Sequence, residues 1–395
     1  MAGGHDVRRP FFVSSVSPLH AGIVTRIRER GPMTVAEFME VALYDPDDGY
    51  YASAIQRSGQ SGDFYTSVDV GPLFGALIAV QLADMWRVLS AAGAASFDLV
   101  EAGAGNGRLA RDIMDAASRH HPELYDRMRL TLVERSETAR RAQIETLGLH
   151  ASRLVASSHV LPHPINGAIV ANELLDALPV HVVTRTPSGL REIGIDQRDG
   201  RLAEVEMPLS AALVRHHGKC GRRSGAAWPG RYLAPGERAE IGLAAGDWIR
   251  EAAAALHRGF IMLFDYTYEA SASHARAHPG GTLMAYRAHR AEPRDWLSDP
   301  GEKDLTAHVD LGALGRGVAE AGLATLGIVD QTYFLLALGL ADRLEPGDDR
   351  RTIEKRLAAR TLVMPGGLGS TMKAMIFAKR VGRPALRGLS SGRLT

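Results

Sequence analysis

Phe97–Ile113 reads FDLVEAGAGNGRLARDI, and the chain is organised around it. Phe97, Leu99 and Val100 form an apolar run that suits a short buried strand. Glu101 closes the run, and glycine then takes alternate positions at Gly103, Gly105 and Gly107. Leu109, Ile113 and Met114 follow at helical spacing. The order is therefore strand, glycine turn, helix. Glycine lets the backbone turn sharply and lets a ligand approach main-chain N–H groups. The helix that follows points its partial positive end at the same place.

Spacing narrows the ligand. A dinucleotide fingerprint needs G-x-G-x-x-G, and Arg108 stands where its third glycine would be. The arrangement E-x-G-x-G-x-G, with the acid at the strand end, resembles motif I of class I methyltransferases. Their ligand, S-adenosylmethionine (SAM), carries an amino acid and a ribose but no phosphate. The resemblance implies that Glu101 takes up the methionine ammonium, directly or through water. An ordinary tight strand–helix turn would use the same glycines.

The bulk properties set bounds. At 395 residues the chain suits two domains, or one large domain with elaborations. Apolar residues make up 45%, enough for a sizeable core, and a net charge of +1 gives no field to recruit nucleic acid or membrane. Cys220 is the only cysteine, which excludes an intramolecular disulfide and a cysteine-based metal cluster. No uninterrupted apolar run is long enough to cross a membrane. Arg8-Arg9-Pro10 faintly resembles a twin-arginine signal, but Val13–His20 is too polar and short for an h-region. A cytoplasmic protein is expected.

Ala21–Arg30 has helical periodicity, and Thr34 with Glu37 forms a capping box for Val35–Leu43. Tyr44–Tyr51 is a turn with three tyrosines, Ser58–Thr66 a loop, and Val70–Leu89 helical again. After the Phe97 strand, strands are expected at Arg129–Glu134, Arg153–Ala156 and Gly167–Asn172, with Ser136 capping a helix to Leu147. Strands alternating with helices argue a parallel, doubly wound sheet. Between His181 and Met207, short runs parted by Ser188-Gly189 and Asp199-Gly200 read as antiparallel hairpins. Ala211–Arg231 is basic and poorly patterned, and Glu269–Pro279 is a polar loop. Asp247–His257 is helical, Phe260–Tyr266 a buried strand, Val309–Ala321 a helix and Ala324–Val329 a strand. Arg351–Arg360 is helical, Lys373–Lys379 a closing strand, and the chain from Arg383 is expected to be disordered. The expected organisation is an N-terminal helical cap with a cofactor-covering loop (1–95), a core (96–180 and 247–380), an insertion and substrate region (181–246), and a tail (381–395).

Glu134 ends the strand after the glycine turn, where two carboxylate oxygens match the two ribose hydroxyls of an adenosine. A solvated charge at a strand end is the alternative. Asn172, Glu173 and Asp176 leave the fourth strand, beyond whose carboxyl end ligands of open α/β sheets sit. Helix capping by Asn172, with acids in a first turn, is the plainer account. If that turn is helical, Glu173 and Asp176 share a face, and a carboxylate pair can hold a guanidinium. A hydroxyl acceptor would instead need a base such as His289 or His308. Asp265 and Tyr266 either line the same cleft or simply end a strand. No histidine pair has convincing metal-ligand spacing, and His216-His217 beside Cys220 reads as a surface loop.

Taken together, the chain resembles the MidA-like family of class I SAM-dependent methyltransferases. That family includes a mitochondrial complex I assembly factor that dimethylates an arginine of a partner subunit. The matching pieces are GDFYTS (Gly62–Ser67), EAGAGNG (Glu101–Gly107), LVE (Leu132–Glu134) and NELLDALPV (Asn172–Val180). FDY (Phe264–Tyr266), GTLMAYRAHR (Gly281–Arg290) and DLTAHVD (Asp304–Asp310) follow in the family's order. Val68 and Asp69 depart from the family's proline and glutamate, Met284–Arg287 departs from its glycine–arginine–phenylalanine stretch, and 181–246 resembles little else. The resemblance implies a Rossmann-like sheet of seven strands in the order 3-2-1-4-5-7-6. It implies SAM as cofactor, contacts from Gly103, Gly105, Gly107 and Glu134, and a covering loop at Gly62, Asp63 and Thr66. No metal is expected. The acceptor is a protein arginine, or a small molecule methylated on O or N, unless the chain is a non-catalytic assembly factor. A homodimer is left open.

Overall fold

The computed structural model describes residues 17–52, 66–222, 229–288, 290–292, 295–344, 349–364 and 372–390. Gly62, Asp63 and His289 lie outside them.

Seven strands build the central sheet: β1 (Phe97–Ala102), β2 (Met128–Val133), β3 (Leu154–Ser158), β4 (Ile165–Asn172), β5 (Leu256–Tyr268), β6 (Ala324–Asp330) and β7 (Met372–Lys379). From one edge to the other they run β3-β2-β1-β4-β5-β7-β6. A two-residue strand, Val309–Asp310, joins β5 as an eighth member where seven were expected. The first five pair in parallel, and β7 is antiparallel to both β5 and β6. The sheet is apolar on both faces, as a sheet covered on both sides must be. Phe260, Met262 and Phe264 face one buried cluster with the helix Leu73–Ala91; Ile261 and Leu263 face a second with the helix Leu243–Ala255.

Leu73–Ala91 is the one helix, among the described residues, long and apolar enough to cross a membrane. The sequence reading placed a helix over Val70–Leu89, and Asp84 and Arg87 interrupt its apolar run. Most of its surface is buried, with Phe74, Leu77, Ile78 and Leu82 fully enclosed.

A second, antiparallel sheet joins the chain's start to its middle. Its order is Met33–Thr34, Gly189–Arg198, His181–Thr186, Arg238–Ile241, with Arg201–Met207 on the outside of Gly189–Arg198. Asp199 and Gly200 both take positive φ in the tight turn before Arg201, the backbone a two-residue hairpin demands. Helices Pro18–Arg30 and Val35–Tyr44 pack here, the latter started by the Thr34–Glu37 capping box. A single apolar cluster unites Ile23, Phe38 and Leu43 of those helices with Val182 and Ile195 of the sheet and Trp296 and Leu305 of a later hairpin.

Three expectations fail. Ala211–Arg222 and Ala272–Ala277 are helices; local composition hid both. Residues from Arg383 to Ser390 are packed rather than disordered. Gly388 donates its N–H to Gln81 Oε1 at 2.9 Å and Arg387 to Asp84 Oδ2 at 3.0 Å, while Leu386 is buried. Partners some 300 residues away supply order that glycine, serine and arginine do not advertise.

Candidate active site

The carboxyl ends of β1, β2 and β4 open on a cavity of about 500 Å³. The glycine turn forms its floor. Gly103, Gly105 and Gly107 all take positive φ, between 50° and 87°, which L side chains resist. A Cβ at Gly103 would crowd Leu174 at 3.1 Å and one at Gly107 would crowd Leu132 at 3.1 Å, whereas one at Gly105 meets no protein atom within 4 Å. Gly105 lines the cavity, so its missing side chain leaves room there for a ligand.

The acids around the turn have main-chain partners. Glu134 accepts the N–H of Gly105 on one oxygen (2.9 Å) and that of Ser136 on the other (2.8 Å). Each oxygen keeps a lone pair for a diol. Glu101 is buried and accepts the Ala110 N–H at 2.9 Å. Burial pushes its carboxyl up to about 8, against that hydrogen bond. A buried carboxyl so perturbed favours a cationic ligand. Gln143 steadies the turn by donating to the Gly105 carbonyl (2.8 Å), and Ser157 holds Gln143 in turn (2.6 Å). No local pattern marked that pair.

Thr66 lines the cavity, and its N–H and hydroxyl both donate to Asp69 Oδ2. The other Asp69 oxygen pairs with Arg108 at 2.7 Å, so this departure from the family pattern ties residues 66–69 to the glycine-turn helix. The helix Leu243–Ala255 contributes Asp247, Trp248 and Glu251 to the lining.

Tyr44, Tyr51, Asn172 and Glu173 form the other wall. Residues 173–178 are turn rather than helix, so the shared helical face expected for Glu173 and Asp176 does not exist. Glu173 takes φ +51° and donates its N–H to the Phe264 carbonyl at 2.8 Å, which swings its side chain toward the cavity. Its Oε1 accepts from Ser67 N–H (3.2 Å) and Asn172 Nδ2 (3.0 Å). Asn172 Oδ1 is buried without a partner among the described residues.

Behind this wall Asp176 and Asp265 are almost fully buried, as is Asp304. Asp176 does not line the cavity. Burial raises Glu173 to about 8, helped by Asp176, and Asp265 to about 7, helped by Glu173. Asp176 rises well above the usual carboxylate range through burial, then Asp265 and Asp304. Tyr51 donates to Asp304 Oδ1 at 2.7 Å, and Tyr44 to the Ala177 carbonyl at 2.9 Å. Neither tyrosine was a sequence candidate, although their turn had been noticed. Tyr266 stacks on His308 behind the wall, with ring centroids 6.0 Å apart. Neither lines the cavity. Burial lowers the His308 pKa.

A doubly wound sheet with a glycine turn at the end of its first strand, an acid after the second and a cavity between them defines a SAM-dependent methyltransferase. The residues fit the cofactor: Glu101 for the ammonium, Gly105 for close approach, Glu134 for the ribose. The chain belongs to a family described as putative S-adenosyl-L-methionine-dependent methyltransferases, whose profile matches residues 77–329; this is the MidA-like family its motifs pointed to. The mitochondrial protein arginine methyltransferase NDUFAF7 of Mus musculus is 28% identical over 84% of this chain and 76% of its own length. That of Bos taurus is 29% identical over the same shares. A likely methyl transferase from Burkholderia thailandensis, solved bound to S-adenosyl-homocysteine, superposes with a TM-score of 0.82 at 29% identity, covering 94% of each chain. The comparisons contradict the expected cytoplasmic location, since the curated relatives are mitochondrial proteins. A faint N-terminal pattern was too little to argue location from.

Proposed function

We propose that this chain transfers the methyl group of SAM to a guanidinium nitrogen of an arginine in a protein acceptor, at the wall formed by Tyr44, Tyr51, Asn172 and Glu173. One observation carries this reading. A buried acceptor without a partner among the described residues, Asn172 Oδ1, sits beside a cavity-lining carboxyl whose strongest charged neighbours are other acids. A guanidinium brings five N–H donors and a positive charge, which suit both groups. The names of the curated relatives favour the same acceptor.

When bound, SAM supplies an electrophilic methyl carbon. The chain supplies placement and charge. Glu173 receives the guanidinium by charge-assisted hydrogen bonds and, as the new N–C bond forms and the S–C bond breaks, takes up the proton that nitrogen releases. Its raised pKa suits that step. Tyr44 and Tyr51 restrict the width of the acceptor end. Asp176 acts from behind by raising the pKa of Glu173, without touching the acceptor.

The test is transfer of tritium from labelled SAM into an extract of the source cells. Label in protein, released by acid hydrolysis as methylarginine, is expected. Label confined to small molecules, or to another amino acid, would overturn the reading.

A further inference from the structure

Among the described residues from Gly281 to Asp310, none lines the cavity, yet this segment carries part of the wall behind it. Met284–Arg287 pairs antiparallel with Asp304–Thr306, which sets Tyr286 opposite Asp304. Asp304 holds the Tyr51 hydroxyl. Ala307 donates its N–H to the Asp176 carbonyl at 2.9 Å. The hairpin thereby fixes one cavity tyrosine and the turn that follows Glu173.

The hairpin is itself fastened at its start, by Glu240 of the inserted sheet. Glu240 is 4% exposed. Its Oε1 accepts the N–H groups of Thr282 (2.7 Å) and Leu283 (3.1 Å), and its Oε2 accepts the Thr282 hydroxyl (3.0 Å). That hydroxyl oxygen also accepts the His308 N–H at 3.1 Å, closing the far end of the segment onto the same point. Gly281 has φ +84°, and a Cβ there would lie 2.1 Å from Glu240 Oε1, so the carboxylate occupies the space a side chain would need. The Gly281-Thr282 pair of the sequence motif thus has a physical reason: glycine makes room for the acid and threonine binds it. Glu240 sits on Arg238–Ile241, opposite Val182 in the inserted sheet. Arg238 adds a main-chain bond to the Pro279 carbonyl at 3.0 Å.

We propose that Glu240 is a positioning residue for the methyl acceptor: through Thr282 and Leu283 it holds the Met284–Thr306 hairpin, and with it Asp304 and Tyr51, against the acceptor end of the cavity. This rests on the acceptor site proposed above. The insertion then acts on the reaction by bracing the wall. Because the cofactor end takes no described residue from 281–310, SAM affinity is independent of it.

The experiment compares Glu240→Ala and Glu240→Gln in the full chain. The protein fraction labelled by the wild type serves as acceptor, and calorimetry reports SAM affinity. In Glu240→Ala, two N–H groups and a hydroxyl lose their acceptor; kcat/KM for the acceptor falls at least about 30-fold, mostly in KM, with the SAM Kd within about twofold. Glutamine keeps an oxygen for both N–H groups, so Glu240→Gln stays within about threefold of the wild type. Amide exchange across 282–306 accelerates about tenfold or more in the alanine variant and not in the glutamine variant. Unchanged acceptor kinetics in Glu240→Ala, an equal loss of SAM affinity, or a glutamine variant as defective as the alanine one would each overturn the proposal. A wild type that labels no protein would instead sink the acceptor reading, and the exchange rates would still decide whether Glu240 holds the hairpin.

Discussion

The two ends of the cavity surround their carboxylates differently. At the glycine turn, Glu134 is held by the main-chain N–H groups of Gly105 and Ser136, and Glu101 by that of Ala110. At the tyrosine wall, Glu173 faces Asp176, Asp265 lies behind, and Asn172 Oδ1 has no described partner. Main-chain N–H groups hold acids at both ends, Ser67 for Glu173 and Leu175 and Tyr266 for Asp265, and burial raises both Glu101 and Glu173. What sets the second end apart is that Glu173, Asp176 and Asp265 are buried beside one another. The contrast suggests a division of labour, with one end built to hold a constant cofactor and the other primed for a cation that arrives only with the acceptor.

The most severe way to break the cofactor end is Gly105→Val. A β-branched residue at φ +50° is strained, and its side chain enters space now left to the ligand. SAM affinity by calorimetry is expected to fall at least about 100-fold. Equal affinity in both proteins would reject the site.

Glu101→Gln sharpens the comparison, because it sets binding against stability. The folded pKa of about 8 lies above the ordinary carboxylate value, so the folded state holds the proton more tightly than the unfolded chain. Stability from this group is full below the unfolded pKa and is lost as pH rises through about 8. The variant is expected to melt higher than the ligand-free wild type at pH 8.5 and equally at pH 4. Its SAM affinity should fall about tenfold as the carboxylate charge disappears. A variant that is destabilised at pH 8.5 would show that Glu101 is structural.

The smallest effect separates the ends by pH. At saturating SAM, kcat/KM for a protein acceptor should rise several-fold between pH 7 and about 8 as Glu173 ionises, and level off only above about pH 9. A flat profile in that window would remove Glu173 from the acceptor step.

Much of the cofactor end was legible because its chemistry is consecutive in the chain. The acid, three glycines and helix of Phe97–Ile113 read as one unit, and Ser136 announced the next helix by its cap. The acceptor end is assembled from distant segments. Tyr51 meets Asp304 across 253 positions, and Ser67 meets Glu173 across 106. A turn such as YDPDDGYY advertises its bends but not what its rings touch. The same limit explains Asp176: spacing of three placed it beside Glu173 on a helix, whereas the positive φ of Glu173 breaks the helix, and Glu173 lines the cavity while Asp176 does not. His308 looked like a base because it lies in a turn near the proposed cleft, but it stacks on Tyr266 behind the wall.

The claim that the two ends divide cofactor from acceptor is tested most directly with Glu173→Gln, measuring SAM affinity by calorimetry and methyl transfer by label in the same preparation. The account predicts a SAM Kd within about threefold of the wild type and transfer to protein reduced at least about 100-fold. Normal transfer in that variant, or loss of SAM binding together with transfer, would contradict it.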